Sequence, residues 1–199
     1  MAMADLRATV LDLLGDRVRE RRLRVAVLCR GAVPLASAVA AAGHRTVVVS
    51  DRFRPLLALQ RRMGLAAGER IVLAEAGFRA LPMRPRAFDA LVLAHGLPRL
   101  AAPAAALRSL RELLVPGGLL IWVQPVTDGF RGKLALVSSP ARRAIVAAGP
   151  RHELCRVAMA AGFGEIGQRA GRGRLLPLVV TSAIAAREPA ATPPGFRGG

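Results

Sequence analysis

Three apolar, β-prone segments of the chain are each followed by a side chain that can do chemistry. These are Arg30, after segment 24–28, Asp51, after segment 46–50, and His95, after segment 88–94. An arginine pairs with a ligand carboxylate, and an aspartate accepts hydrogen bonds from hydroxyls or caps a helix. A histidine takes a proton from a reacting group or has a structural role. The three positions therefore suggest a polar ligand held where strands end.

The segments before these residues belong to a regular alternation of strands and helices. Strands are predicted at 24–28, 46–50, 70–73, 88–94, 119–123, 165–168 and 178–185, and helices at 4–22, 32–42, 55–63, 103–114 and 152–161. This alternation is typical of βαβ units, and the continuously apolar strands are typical of a parallel sheet covered on both faces. Such sheets bind ligands at the carboxyl ends of their strands.

Three blocks of sequence resemble the class I S-adenosylmethionine-dependent methyltransferases, in particular the small single-domain, type-11-like group. The blocks are residues 79–94, residues 107–121 with Pro116-Gly117-Gly118, and residues 153–166 with Ala161-Gly162-Phe163. The resemblance implies an α/β fold: a doubly wound, mostly parallel seven-stranded sheet with the last strand reversed and helices on both faces. The expected organisation is an N-terminal amphipathic helix at 1–22, a methyltransferase-like domain at 23–187 and a disordered tail at 188–199.

The same resemblance implies a site for S-adenosylmethionine at the strand ends. The expected cofactor-binding residues are Cys29, Arg30, Gly31, Asp51, Arg52, Glu75, Gly77, Phe78 and Ala94. Asp51 matches the acid that holds the ribose hydroxyls, although an ordinary helix cap is the alternative. Phe78 either stacks on the adenine or fills the core. His95 is the candidate general base, with a purely structural histidine as the alternative.

The turn after the first strand departs from the family pattern. Val27 stands in place of an acid, Cys29 and Val33 stand in place of two glycines, and only Gly31 is kept. The side chains at 29 and 33 narrow the pocket expected here. Val33 is also β-branched, and such a residue tolerates a left-handed turn poorly. Arg30 either pairs with the carboxylate of the cofactor or blocks the pocket by pairing with Asp51.

Three functions follow from these features. The first is methyl transfer to a small-molecule or protein acceptor. The second is a pseudo-methyltransferase that has lost its cofactor and serves as a partner-binding or assembly subunit. The third is a nucleic-acid-associated protein, suggested by a net charge of +17. Lys133 is the sole lysine among 30 basic residues, a bias that a GC-rich genome also produces, and aromatic residues for base stacking are scarce. Nucleic acid is therefore a possible but not a favoured partner.

Other classes conflict with the sequence. Residues 29–34 lack the Gly-x-Gly-x-x-Gly turn of dinucleotide-dependent dehydrogenases, and Lys133 is far from the first strand, where a P-loop lysine would stand. Two cysteines are too few for a disulfide framework or a zinc site. No apolar run reaches the length of a membrane span, and the acidic N-terminal segment is unlike a signal peptide. We expect a cytoplasmic protein without a membrane partner.

Overall fold

The computed structural model describes residues 2–16, 22–29, 33–51, 53–63, 71–77, 81–94, 102–126, 150–171 and 178–186. The helices in these ranges are α1 (Ala2–Gly15), α2 (Val33–Ala41), α3 (Phe53–Met63), α4 (Pro103–Leu113) and α5 (Arg151–Ala160). The strands are β1 (Arg24–Cys29), β2 (Arg45–Ser50), β3 (Ile71–Glu75), β4 (Phe88–Ala94), β5 (Leu114–Pro125), β6 (Phe163–Gly171) and β7 (Leu178–Ala185). Of these helices, none has the length and hydropathy that crossing a bilayer requires.

The strands form one sheet in the order β3-β2-β1-β4-β5-β7-β6. The neighbours from β3 through β5 are parallel, whereas β7 is antiparallel to both β5 and β6. The predicted fold class, a mostly parallel seven-stranded sheet whose last strand is reversed, is confirmed.

Helices cover both faces of the sheet because each strand offers buried apolar side chains on both sides. On one face, α1, α2 and α3 pack through Leu6, Val10, Leu14, Leu35, Val39, Leu56 and Leu59. On the other face, α4 and α5 pack through Leu107, Leu110, Leu154 and Ala158. Burying a leucine side chain is worth about 1.5–3 kcal/mol, so each helix is held to the sheet by its apolar face.

The start of β5 differs from the sequence prediction. Pro116-Gly117-Gly118 was expected to end a helix before a strand at 119, but the strand begins at Leu114. Its register against β4 shifts between the pairs Phe88–Leu114 and Ala90–Leu119, so the glycines form an irregularity inside the strand. Gly117 has a φ of 77°, a left-handed conformation that glycine adopts without steric cost.

Other boundaries differ less. The helix predicted at 4–22 ends at Gly15, and residues 17–21 lie outside the described ranges. Strand β6 extends further at both ends than the predicted 165–168 because it pairs with β7 along most of its length. The tail predicted at 188–199 also lies outside the described ranges.

Candidate functional site

The carboxyl ends of four neighbouring strands meet at one edge of the sheet. Cys29 at the end of β1 is in register with Ala94 at the end of β4. Ser50 at the end of β2 is in register with Glu75 at the end of β3, and Asp51 follows Ser50 directly. The sheet thus brings together four of the predicted site residues, which lie up to 65 positions apart in sequence.

Asp51 occupies the centre of this edge. Its side chain is half-buried, and its Oδ1 atom is shielded from water. The chain around it is fixed by the N–H of Ala76, which donates to the carbonyl of Ser50 at 3.0 Å and so extends the β2–β3 pairing by one residue. Because α3 begins at Phe53, Arg52 rather than Asp51 directly precedes the helix. Both roles named for Asp51, ribose binding and a helix cap, remain predictions.

The turn between β1 and α2 is short. Cys29 is the last residue of β1 and Val33 is the first residue of α2. Among the described non-glycine residues, only Arg86 and Glu165 have a left-handed backbone, with φ of 55° and 47°. Val33 therefore bears no left-handed strain, and the expectation that a β-branched side chain would strain this turn is wrong at that position.

The outer part of the edge, after β3, is open. Glu75 and Gly77 are both exposed, and a Cβ built on Gly77 would meet nothing within 4 Å. The described residues therefore leave the end of β3 uncovered beside Gly77.

Five predicted site residues lie outside the described ranges: Arg30, Gly31, Arg52, Phe78 and His95. Their roles remain predictions, as do the cofactor roles of the residues that the sheet does bring together. The structure fixes the places of Cys29, Asp51, Glu75, Gly77 and Ala94.

Sequence reasoning missed two polar groups on β5. Gln124 and Trp122 are buried, with 1% and 2% of their surface exposed. Neither Gln124 Oε1 nor Trp122 Nε1 has a hydrogen-bond partner in the part of the chain that the structure describes. The available signal was a glutamine following five apolar residues, Leu119–Val123.

Comparison with known proteins gives one family and several relatives. Residues 27–122 match the family model described as a methyltransferase domain. A stretch of 75 residues is 40% identical to a demethylmenaquinone methyltransferase of Thermus thermophilus; it covers 38% of this chain and spans 34% of that relative's length.

Solved structures share the fold at low identity. A 1,6-didemethyltoxoflavin-N1-methyltransferase of Burkholderia thailandensis, solved with that acceptor and S-adenosylhomocysteine, superposes with a TM-score of 0.71 at 18% identity, covering 93% of this chain and 78% of the other. A SAM-dependent methyltransferase of Aquifex aeolicus superposes with a TM-score of 0.67 at 11% identity, covering 88% and 89%. The resemblance read from the sequence is confirmed, and the fold is that of the Rossmann-like methyltransferases.

Proposed function

We propose that the protein is an S-adenosylmethionine-dependent methyltransferase acting on a small molecule, since residues 27–122 match the family model described as a methyltransferase domain. One observation carries this proposal furthest. The register of the sheet collects the ends of β1, β2, β3 and β4, with Asp51 between them, at the edge where parallel sheets bind ligands.

The residues at this edge fit S-adenosylmethionine. The carboxylate of Asp51 suits the two ribose hydroxyls, since a carboxylate accepts several hydrogen bonds. The open space beside Glu75 and Gly77 leaves room for the adenine. Of the two roles that the sequence leaves open for Arg30, the proposal takes the one in which it pairs with the carboxylate of the methionine part and not with Asp51.

When bound, S-adenosylmethionine supplies an electrophilic methyl group that passes to a nucleophilic atom of the acceptor, the sulfur keeping the electron pair of the broken bond and the acceptor losing a proton. The protein contributes mainly by position, since holding two reactants in line is worth several orders of magnitude in rate. His95, which follows Ala94 in the chain, is the predicted base for an acceptor that must lose its proton before attack.

The relatives favour a small-molecule acceptor over a protein. The Thermus thermophilus relative is named for demethylmenaquinone, and the Burkholderia thailandensis enzyme for 1,6-didemethyltoxoflavin. We therefore propose that the acceptor of this protein is a small molecule.

The test is calorimetric titration with S-adenosylmethionine and S-adenosylhomocysteine. We expect micromolar binding that Asp51→Asn weakens by ten- to a hundredfold, because a hydrogen bond to a charged group is worth about 1.5–3 kcal/mol. Asp12→Asn, at an exposed position on α1, is the matched control and should bind normally. Folded protein that binds neither compound would contradict the proposal and support a partner-binding subunit instead.

A further inference from the structure

A cavity of about 260 Å³ lies at the amino edge of the sheet, opposite the edge that carries the proposed cofactor site. The turn before β4, the last turn of α4, the start of β5 and the end of β7 form its wall. Arg86, Glu112 and Pro116 belong to this wall and are exposed, so a dissolved ligand can reach the cavity. Its volume is just below the range of about 300–1,000 Å³ typical of ligand pockets, and it suits a small ligand.

The start of β5 gives the cavity a fixed shape. Four residues of β5, 115–118, stand where β4 has one, so this part of β5 leaves the regular ladder. A Cβ on Gly118 would lie 2.8 Å from the carbonyl oxygen of Val115, which is too close for a side chain. At the end of β7, Ala185 and Ala186 line the cavity with small side chains that leave it open. The cavity is therefore built into the folded sheet.

Arg86 lies in the cavity wall with a strained backbone. Its φ is 55°, in the left-handed region that residues other than glycine seldom adopt. The N–H of Arg86 donates to the carbonyl of Glu112 at 2.9 Å, which fixes the turn to α4. A glycine would make the same backbone hydrogen bond without strain. An arginine at this position therefore points to a use for its guanidinium group.

Arg111 adds a second positive charge to the same wall. Its Nη1 donates to the carbonyl of Gly162 at 3.0 Å, which holds the side chain in one orientation. Within the described ranges this is the sole hydrogen bond of the guanidinium group, which carries further donors. A phosphoryl group presents three acceptor oxygens and up to two charges, so it can pair with two guanidinium groups where a carboxylate fits one.

Glu112 restricts the ligand further. It lines the cavity, and it forms no ion pair with another residue of the described structure. Its carboxylate would repel a bound phosphoryl group unless a hydrogen-bond donor lay between the two. The ligand that fits this wall therefore carries a hydroxyl or amino group close to its phosphoryl group.

We propose that this cavity binds a small phosphate monoester, at a site separate from the proposed cofactor site. Arg86 and Arg111 pair with the phosphoryl oxygens, and Glu112 accepts a hydrogen bond from a hydroxyl or amino group of the same ligand. The two sites lie at opposite ends of β4, which begins at Phe88 and ends at Ala94, roughly 20 Å apart along the strand. The inference therefore goes beyond methyl transfer and does not depend on it.

Calorimetric titration with O-phosphoethanolamine tests the proposal. The titration uses about 0.15 M salt, which screens the attraction between separated surface charges, because the net charge of +17 would otherwise attract any anion. We expect saturable binding at one site. Arg86→Gln should weaken it about tenfold or more, the loss of a charged hydrogen bond. Arg86→Gly, which suits the left-handed backbone, should weaken it equally and shows that the turn itself is not the cause.

Arg84→Gln is the matched control, since it removes the same charge at an exposed position outside the cavity wall. It should bind O-phosphoethanolamine as the unchanged protein does. Equal losses in Arg84→Gln and Arg86→Gln, or no saturable binding to the folded protein, would overturn the proposal.

Methyl phosphate tests the role of Glu112. At about pH 8 its second proton is lost, so it has no hydrogen-bond donor. The unchanged protein should bind O-phosphoethanolamine more tightly than methyl phosphate, and Glu112→Ala should abolish that preference. The same preference in Glu112→Ala would overturn the role of Glu112.

S-Adenosylhomocysteine locates the site. The affinity for O-phosphoethanolamine should be the same with and without saturating S-adenosylhomocysteine, and the same in Asp51→Asn. Displacement by S-adenosylhomocysteine would place the anion at the cofactor edge and overturn the proposal. If S-adenosylhomocysteine does not bind at all, the proposed function is contradicted, and the arginine variants still decide this inference.

Discussion

Arg24 and Asp89 form a three-point contact that ties β1 to β4 where the two strands begin. The backbone N–H of Arg24 donates to Asp89 Oδ2 at 2.9 Å, its Nε donates to the same oxygen at 3.1 Å, and its Nη2 donates to Oδ1 at 3.2 Å. The hydrogen bond with Asp89 raises the pKa of Arg24 above its ordinary value, so the guanidinium stays protonated.

We expect Asp89→Ala to lower the free energy of unfolding by about 2 kcal/mol, because three hydrogen bonds to a shielded carboxylate are lost. Arg24→Lys should cost less, since the backbone N–H still donates. Arg156→Ala removes an exposed pair with Glu153 at 3.3 Å and should cost under about 0.5 kcal/mol. Urea unfolding measures all three, and equal costs for Asp89→Ala and Arg156→Ala would contradict this assignment.

Gly162 combines a left-handed backbone with a close neighbour. Its φ is 84°, its carbonyl accepts a hydrogen bond from Arg111 Nη1 at 3.0 Å, and an added Cβ would collide with that guanidinium. Gly43, with a φ of 89° and nothing within 4 Å of a Cβ, is the matched control.

Gly43→Ala should therefore cost about 1 kcal/mol, the left-handed penalty alone. Gly162→Ala should cost about 1 kcal/mol more, because the Arg111 hydrogen bond is displaced as well. Thermal unfolding of the two variants measures the difference. A loss no greater for Gly162→Ala than for Gly43→Ala would show that the Arg111 contact contributes nothing.

His44 gives the stability a dependence on pH. It is buried before β2, and burial lowers its pKa below the ordinary 6.5. The unfolded chain therefore binds a proton more readily than the folded protein. The contribution of neutral His44 to the free energy of unfolding is fully present above pH 6.5. It decreases as the pH falls towards the lowered pKa of His44.

Urea unfolding at pH 7.5 and 5.5 measures this contribution. His44→Gln should reduce the loss of stability between the two pH values. His152→Gln, at an exposed position on α5, should leave that loss as it is in the unchanged protein. The same loss in His44→Gln as in the unchanged protein would contradict the prediction.

Cofactor binding should also stabilise the folded state. When its concentration is a hundred times its dissociation constant, S-adenosylhomocysteine adds about 2.7 kcal/mol to the free energy of unfolding. This raises the midpoint of thermal unfolding by several degrees for a domain of this size. Asp51→Asn should lose most of this shift at the same ligand concentration, whereas Asp12→Asn should keep it. An equal shift in both variants would remove Asp51 from the site.

Much of the sheet could be read from local pattern. Strands β4 and β7 have the predicted bounds, because short, mainly apolar segments mark buried strands. The first and last residues of β5 could not be predicted from local sequence pattern. Its start holds Pro116-Gly117-Gly118, a local turn signal that pairing with β4 overrides, and its end is prolonged by pairing of Gln124 and Pro125 with Val179 and Leu178.

The candidate site, like the sheet, could be predicted from the sequence only in part. Asp51 could be placed because it directly follows a predicted strand, and parallel strands bring their ends together. Glu75 was named through the resemblance alone, two residues after the strand predicted at 70–73, and the structure makes it the last residue of β3. The polar pair on β5 could not be found, because burial of Gln124 depends on β7, some 55 residues further along the chain. Local pattern gives no account of contacts made at that separation.

The reversed strand β7 also sets an order of assembly during synthesis. It lies between β5 and β6 and pairs with both, and β6 has no other neighbour among the described strands. Until residues 178–185 leave the ribosome, β5 presents an open edge and β6 has nothing to pair with. Unpaired strand edges invite association between chains, so a message that ends translation after residue 171 should yield an aggregating product rather than a smaller folded one.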